Sequence, residues 1–454
     1  MKMIKAWCTT LFPSKTLGSK FVMVQLSGFL LMLASEFERL SVAWWCLDKT
    51  KSPAMFATMV TVGSIGYLAA QPSLGWLGDR YPKRNVLISS FSISAAASLI
   101  LAALSNGIGF PAVAVGVTLL VGSLATSIVP ALMSGVVLDL VDKSNVTDAF
   151  RVRASLGTIA STGGPILAGS LIAFFGYKWP ILIASILVLL AVIGLARNLP
   201  KHEKLAENLI SKGPRKFFQD WLRMTSYGAK SVWMIKPERQ MGFLAMITNA
   251  AMLPMVLVLI PSLVKQYFSN PAWISGLASA SLGLGVLACS TFILPKIKTI
   301  KTNDYQIILG RLLSAGGVCG TTISVAAFGY TSSTHLATSL LCLSLFVAGV
   351  GLGLVNIVGS SVRSRAIPPH LRTRIFAATG FLSGIAIPFG NLLQGVALNT
   401  MGPFIATLTI SIIMCISVVI YLQSDSIRSI MRCSENEIDG EYGRRYEQFA
   451  AEEK

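Results

Sequence analysis

Three ionisable side chains crowd an otherwise apolar run: Glu36, Glu38 and Arg39 within FLLMLASEFERLSVAWWCL. A charge at the centre of a bilayer costs about 2.5–3.5 kcal/mol on insertion scales for Asp, Lys or Arg, so a membrane span holding three must turn them towards water or one another. On a helix Glu36 and Arg39 are i, i+3 neighbours, whereas Glu38 points about 100° away from Arg39. The spacing predicts an internal Glu36–Arg39 ion pair and leaves one carboxyl able to take up and release a proton. Desolvation strengthens a carboxyl's hold on its proton, and a nearby cation weakens it. A cavity opened first to one side and then to the other would change that balance. Glu38, off the arginine face, is the expected proton carrier, and Glu36 the structural partner. The alternative is a static polar cluster that specifies helix packing.

Further amides fall at the middle of apolar runs: Asn249, Asn356, Asn391 and Gln394. Each is a candidate contact for a small molecule in a cavity, although amides also bond helix to helix. Pro254 and Pro261 predict a broken helix lining that cavity. Arg311 is placed near a span end, where its side chain can snorkel. Trp44, Trp45 and Trp179 read as interfacial anchors. The seven cysteines lack any CxxC pair and the three histidines fall in predicted loops, so neither a metal site nor a disulfide framework is expected. No phosphate-binding glycine loop opens a helix after a strand, and no nucleophile–base pairing is evident, so neither an enzyme nor a cofactor is expected.

These side chains need a scaffold that holds them in lipid. Hydrophobic residues make up 53% of the 454-residue chain and charged ones 13%, about half the charged share of a soluble domain. The apolar residues come in blocks of about 18–25, the length that crosses a hydrocarbon core. They define twelve spans, at about 21–47, 54–77, 86–104, 111–138, 154–175, 179–196, 241–264, 274–295, 306–328, 336–360, 375–398 and 403–422. With the N-terminus inside, 32 Lys/Arg fall in cytoplasmic segments and four in outer loops. That is the positive-inside pattern, so the net charge of +18 orients the protein and need not bind nucleic acid.

The predicted fold is an all-α membrane protein of twelve transmembrane helices in two pseudo-symmetric six-helix bundles. Residues 1–20 form a cytoplasmic arm without signal-peptide features, and 21–196 the first bundle. Residues 197–240 form a cytoplasmic linker with an amphipathic run at Phe217, Phe218, Trp221 and Leu222, and 241–422 the second bundle. Residues 423–454 are a polar tail expected to be disordered. GGPILAG at 163–169 and FGNLLQG at 389–395 match at an offset of 226, which places Gly164 on Gly390. SPA at 52–54 and NPA at 270–272 open the second span of each half. Such internal likeness marks a duplicated six-helix unit.

After the second span the chain reads Gly75-Trp-Leu-Gly78-Asp79-Arg80-Tyr-Pro-Lys83-Arg84. In spacing and placement this resembles the signature loop of the major facilitator superfamily, with Pro82 where that family usually has glycine. The resemblance implies a gating loop, in which a charge cluster holds one side closed in one state and releases it in another. Physically, the small residues allow close helix approach, and the basic ones suit carbonyl ends of helices or anionic lipid. Span 5 carries Gly157, Gly164, Pro165 and Gly169, which look like the antiporter motif of exporting members; small-residue packing is the alternative. AWWCLDKTKSPA at 43–54, DLVDKSNVTDAF at 139–150 and AIPPHLRTRIFAATGFLSGIAIPFGNLLQG at 366–395 resemble the macrolide-efflux and enterobactin-exporter branch of drug:proton antiporters.

The resemblance implies alternating access, coupled to protons, moving a small amphipathic drug-like or siderophore-like molecule outward. Its partners would be the lipid bilayer and that molecule, its setting a bacterial inner membrane with both termini cytoplasmic, and its expected state a monomer. Import of a siderophore or metabolite is the competing direction. A non-transporting sensor or scaffold is the competing class, against which the charges of span 1 argue.

Overall fold

A computed structural model describes residues 17–80, 82–142, 145–200, 230, 232–269, 271–298, 302–368, 372–433 and 437–445. Every regular element among them is helical, and twelve helices are long and apolar enough to cross a membrane. They are α1 (Ser19–Thr50), α2 (Pro53–Arg80), α3 (Lys83–Ser105), α4 (Ala112–Thr126, resumed at Val129–Leu140), α5 (Val146–Phe175) and α6 (Lys178–Asn198). The second half holds α7 from Lys236–Pro254, α8 from Ala272–Ala288, α9 (Asn303–Thr331), α10 (Thr334–Ala366), α11 (Arg372–Gly384 and Ile387–Thr400) and α12 (Gly402–Gln423). The amphipathic run at 217–222 lies outside the described residues.

Several helices overrun the spans expected from hydropathy, because polar end turns are helical without being apolar. Thus α7 begins at Lys236 and α10 continues to Ala366. Hydroxyl side chains inside the spans bond the carbonyl one turn back, as Thr61 does to Ala57 at 2.8 Å and Ser185 to Ile181 at 3.0 Å. With no water in the hydrocarbon, this keeps each hydroxyl satisfied within its own helix. The proline-rich α7 does not break. It stays continuous through two wide π turns, Met255–Leu259 and Leu263–Tyr267, on either side of Pro261.

The chain divides into two compact units: residues 1–213 with 271–276, and 214–270 with 277–454. The first is packed around α1, whose Leu31, Ala34, Phe37 and Leu40 meet Leu87 and Phe91 of α3 and Ala184, Val188 and Ala191 of α6. Trp45 belongs to this interior rather than to the interface. It is fully buried, with the Phe110 ring centroid 4.9 Å away and Tyr177 stacked at 6.1 Å. The loops carrying those two rings fold over it. Trp179 is the exposed tryptophan, at 54%.

In the second unit α9 lies along α10 and α12, with α7 against α11. The expected disorder of the tail does not hold for its described part. Residues Asp425–Met431 form α13 and Glu441–Arg445 form α14. Ile427, Ile430, Met431, Ile438 and Tyr442 are buried with Leu244, Ile307, Val358 and Val362 in one apolar cluster. Composition read the tail as polar, yet five well-placed apolar side chains are enough to dock it.

Candidate functional site

The charges of α1 separate as helical geometry requires. Arg39 donates to Glu36 Oε2 from Nε at 3.0 Å and from Nη2 at 2.5 Å, and each side chain is 23% exposed. Glu38 turns towards α3, where its one hydrogen-bond partner among the described residues is the buried Ser98 hydroxyl. Ser98 Oγ also lies 2.9 Å from the Ser94 carbonyl. A hydroxyl has one proton and these are two acceptors. When Glu38 is a carboxylate, Ser98 donates to it. When Glu38 is protonated, its own O–H donates to Ser98, and the serine proton goes to Ser94.

The glycines of α5 form the opposing wall. A Cβ on Gly164 would stand 2.9 Å from Glu36 Cβ and 3.1 Å from its Cγ, so α5 crosses α1 at the ion pair itself. Gly157 faces the Met32 methyl at 3.6 Å, one helical stretch earlier. Gly169 abuts the Ala272 carbonyl, and the Pro165 carbonyl abuts Gly276, inside the same compact unit. The repeat-related glycine behaves alike: Gly390 of α11 lies against the Ala250 carbonyl and 2.8 Å, by the same measure, from Pro254 Cγ of α7. Both glycines are thus close-approach points between the first and fifth helices of their halves.

The expected gating loop is described in part. Gly75, Gly78, Asp79 and Arg80 belong to the last turns of α2, and their side chains lie outside the described residues. Lys83 bonds Asp139 at the end of α4 at 2.5 Å. Arg84 donates to the carbonyls of Leu199 at 3.2 Å and Ala196 at 2.8 Å, closing the C-terminal end of α6. A cation there meets both unsatisfied carbonyls and the negative end of the helix dipole.

The four candidate amides do not form one group. Asn249 of α7 donates to the Ser383 carbonyl of α11 at 3.1 Å, an interhelical bond. Asn391 and Gln394 are buried on α11, and Gln394 Oε1 meets no donor among the described residues. Asn356 is exposed on α10 and its carbonyl accepts from Ser360. Arg311 does not snorkel: its guanidinium lies 5.0 Å over the Tyr421 ring, and its Nε has no hydrogen-bond partner among the described residues.

Sequence reasoning missed the ionic clusters of the second unit. Glu238, in the first turn of α7, is fully buried and gripped from two sides by Arg363 at 3.0 and 2.6 Å. Thr379 and Tyr442 each add a hydroxyl at 3.3 Å. Asp304, in the first turn of α9, accepts from Tyr421 at 2.9 Å, Arg432 at 2.9 Å and Arg428 at 3.3 Å. Glu238 sat in the predicted linker and its partner lies far along the chain; the one usable signal was an acidic residue at a helix start.

A family model described as Major Facilitator Superfamily matches residues 24–391. Macrolide efflux protein A of Streptococcus pyogenes is 22% identical over 392 residues, which cover 84% of this chain and 90% of that protein. The Staphyloferrin A transporter of Staphylococcus aureus is 23% identical over 283 residues, 60% of this chain and 66% of that one. Among solved structures, a nucleoside transporter NupG mutant superposes with a TM-score of 0.67 at 15% identity, over 89% of this chain and 99% of its own. A peptide transporter POT mutant with bound sulfate reaches 0.68 at 14% identity, over 91% and 96%.

Proposed function

The chain belongs to the Major Facilitator Superfamily and is a multi-pass membrane transporter rather than an enzyme, and from that premise we propose that it exports a small amphipathic molecule in exchange for protons. The cargo class is of the drug or siderophore type, in keeping with the names of the relatives that match. Both termini face the cytoplasm in this reading, which rests on the distribution of Lys and Arg.

One observation carries the coupling: of the two carboxyls in α1, Glu36 is held by Arg39 and Glu38 is held only by a hydroxyl. Glu36 keeps its charge balanced in every state and anchors the wall formed by Gly164. Glu38 takes a proton when the cavity faces the acidic side and gives it up when the cavity faces the other. Ser98 supports both forms by reversing the direction of its hydrogen bond, so neither form is left with an unmet polar group. The relay needs no partner beyond α1 and α3.

Purified protein in liposomes, with an imposed proton gradient and panels of macrolides and carboxylate siderophores, tests this reading. Gradient-driven accumulation should be abolished in Glu38→Gln at normal expression, while exchange of cargo down its own gradient persists. Gradient dependence unchanged in that variant would remove Glu38 from the coupling role. The direction is read from whether an inward proton gradient empties or fills vesicles of known orientation.

A further inference from the structure

The tail residues 424–433 and 437–445 supply partners to buried charges at the ends of three different helices. At the root, Arg428 and Arg432 both bond Asp304, whose carboxylate is 6% exposed at the start of α9. At the tip, Asp439 bonds Arg365 from two oxygens, at 2.7 and 3.1 Å, and the Gly440 N–H caps the Arg365 carbonyl at 2.9 Å, at the end of α10. Beyond it, Tyr442 reaches Glu238 at the start of α7. The two attachments differ in kind. The root pairs rest on a buried carboxylate, but Arg365 and Asp439 are 37% and 67% exposed. Exposed pairs hold weakly and are screened by salt; buried ones are screened far less.

We propose that this segment is a built-in strap: its root stays tied to α9, while its tip lets go of α7 and α10 and thereby loosens the Glu238–Arg363 lock between them. When the tip lifts, Tyr442 takes its hydroxyl from Glu238, and α10 loses the cap on its Arg365 carbonyl. Glu238, otherwise sealed, then meets water through the space the Tyr442 ring leaves. A cavity of about 160 Å³ between α9, α10 and the tip, lined by Asn303, Gln306, Arg365 and Ile438, opens with it. The strap lies wholly within the second compact unit, so its action is to stiffen or free one end of that unit. It does not depend on which cargo is carried or on the coupling ion.

Hydrogen–deuterium exchange on the full chain in nanodiscs tests the proposal without any cargo. Raising salt from about 0.05 to 1 M shortens the screening length from over 10 Å to about 3 Å, and should speed exchange in 437–445 about threefold. Residues 425–432 should stay protected, and 236–240 with 362–366 should speed up in step with the tip. Asp439→Asn should give the same pattern at low salt, and the charge-swapped pair Arg365→Asp with Asp439→Arg should restore protection. The proposal is overturned if salt leaves 437–445 unchanged, if root and tip loosen together, or if the tip loosens while 236–240 does not respond. The salt series uses the unaltered protein, so a variant that fails to fold does not decide the matter.

Discussion

Gly164 faces Glu36 so closely that a methyl group on its α-carbon would lie 2.9 Å from Glu36 Cβ. Gly163, its neighbour, has open space in the same direction. Two adjacent glycines in one helix are therefore unequal, and an identical substitution separates them. Gly164→Ala should destabilise by about 1–3 kcal/mol, the usual cost of overpacking, and should reduce transport by displacing the ion pair. Gly163→Ala should leave both unchanged. Thermal unfolding in detergent alongside liposome transport measures the contrast.

The repeat makes a parallel claim on the other half. Gly390→Ala drives its new methyl into the Ala250 carbonyl and Pro254 ring of α7. A loss similar to that of Gly164→Ala is expected, about 1–3 kcal/mol. A stability equal to that of the parent would mean that the two glycines, though matched in sequence, are not matched in role.

Neutralising Arg39 alone strands Glu36 in the membrane, whereas neutralising both residues does not. Because each side chain is 23% exposed, the coupling should be modest, about 1 kcal/mol in a double-mutant cycle of Glu36→Gln and Arg39→Gln. The double variant should insert and fold better than Arg39→Gln, as judged by membrane-fraction yield and melting temperature. Additive effects would show that the two charges act separately.

The buried lock of the second unit should be much less forgiving. Arg363→Gln leaves the fully buried Glu238 without its cation, and a loss of about 3–5 kcal/mol is expected. Combining it with Glu238→Gln should recover most of that loss. Unfolding midpoints of the three variants decide it.

The tip of the strap has a defined response to acid. Hydrogen bonding to Arg365 holds the Asp439 carboxyl below its usual range, and Arg444 with Arg445 does the same for Glu441. A carboxyl depressed by folding contributes stability above its unfolded pKa, which is lost as pH falls through the folded one. Exchange in 437–445, corrected for its intrinsic rate, should therefore be flat from pH 8 to about 5 and should rise only below about pH 4. A rise near pH 6 would point to some other group.

How much the sequence disclosed depended on separation along the chain. Glu36 and Arg39 are three residues apart on one helix, and helical geometry alone paired them and set Glu38 aside. Gly164 was legible as a packing residue, but that its neighbour is Glu36 needed the fold. Glu238 and Arg363 are 125 positions apart, and hydropathy had assigned the first to a linker. The tail was misread for a related reason: its few apolar residues are spread thinly, and their docking surface is made by α7, α9 and α10. Trp45 was assigned by type, yet Phe110 and Tyr177 enclose it.

The wide turns of α7 bear on how related chains should be compared. Each π turn takes about one more residue to come round than an α turn, which rotates the rest of the helix by about 100°. Two of them, at 255–259 and 263–267, rotate the last part of α7 by about 200° relative to a straight helix. A helical wheel drawn through the whole of α7 therefore assigns Lys265 and Gln266 to the wrong flank. A relative lacking one of the turns should show a single-residue gap there, and alignments that force the gap into a loop will misplace every side chain between.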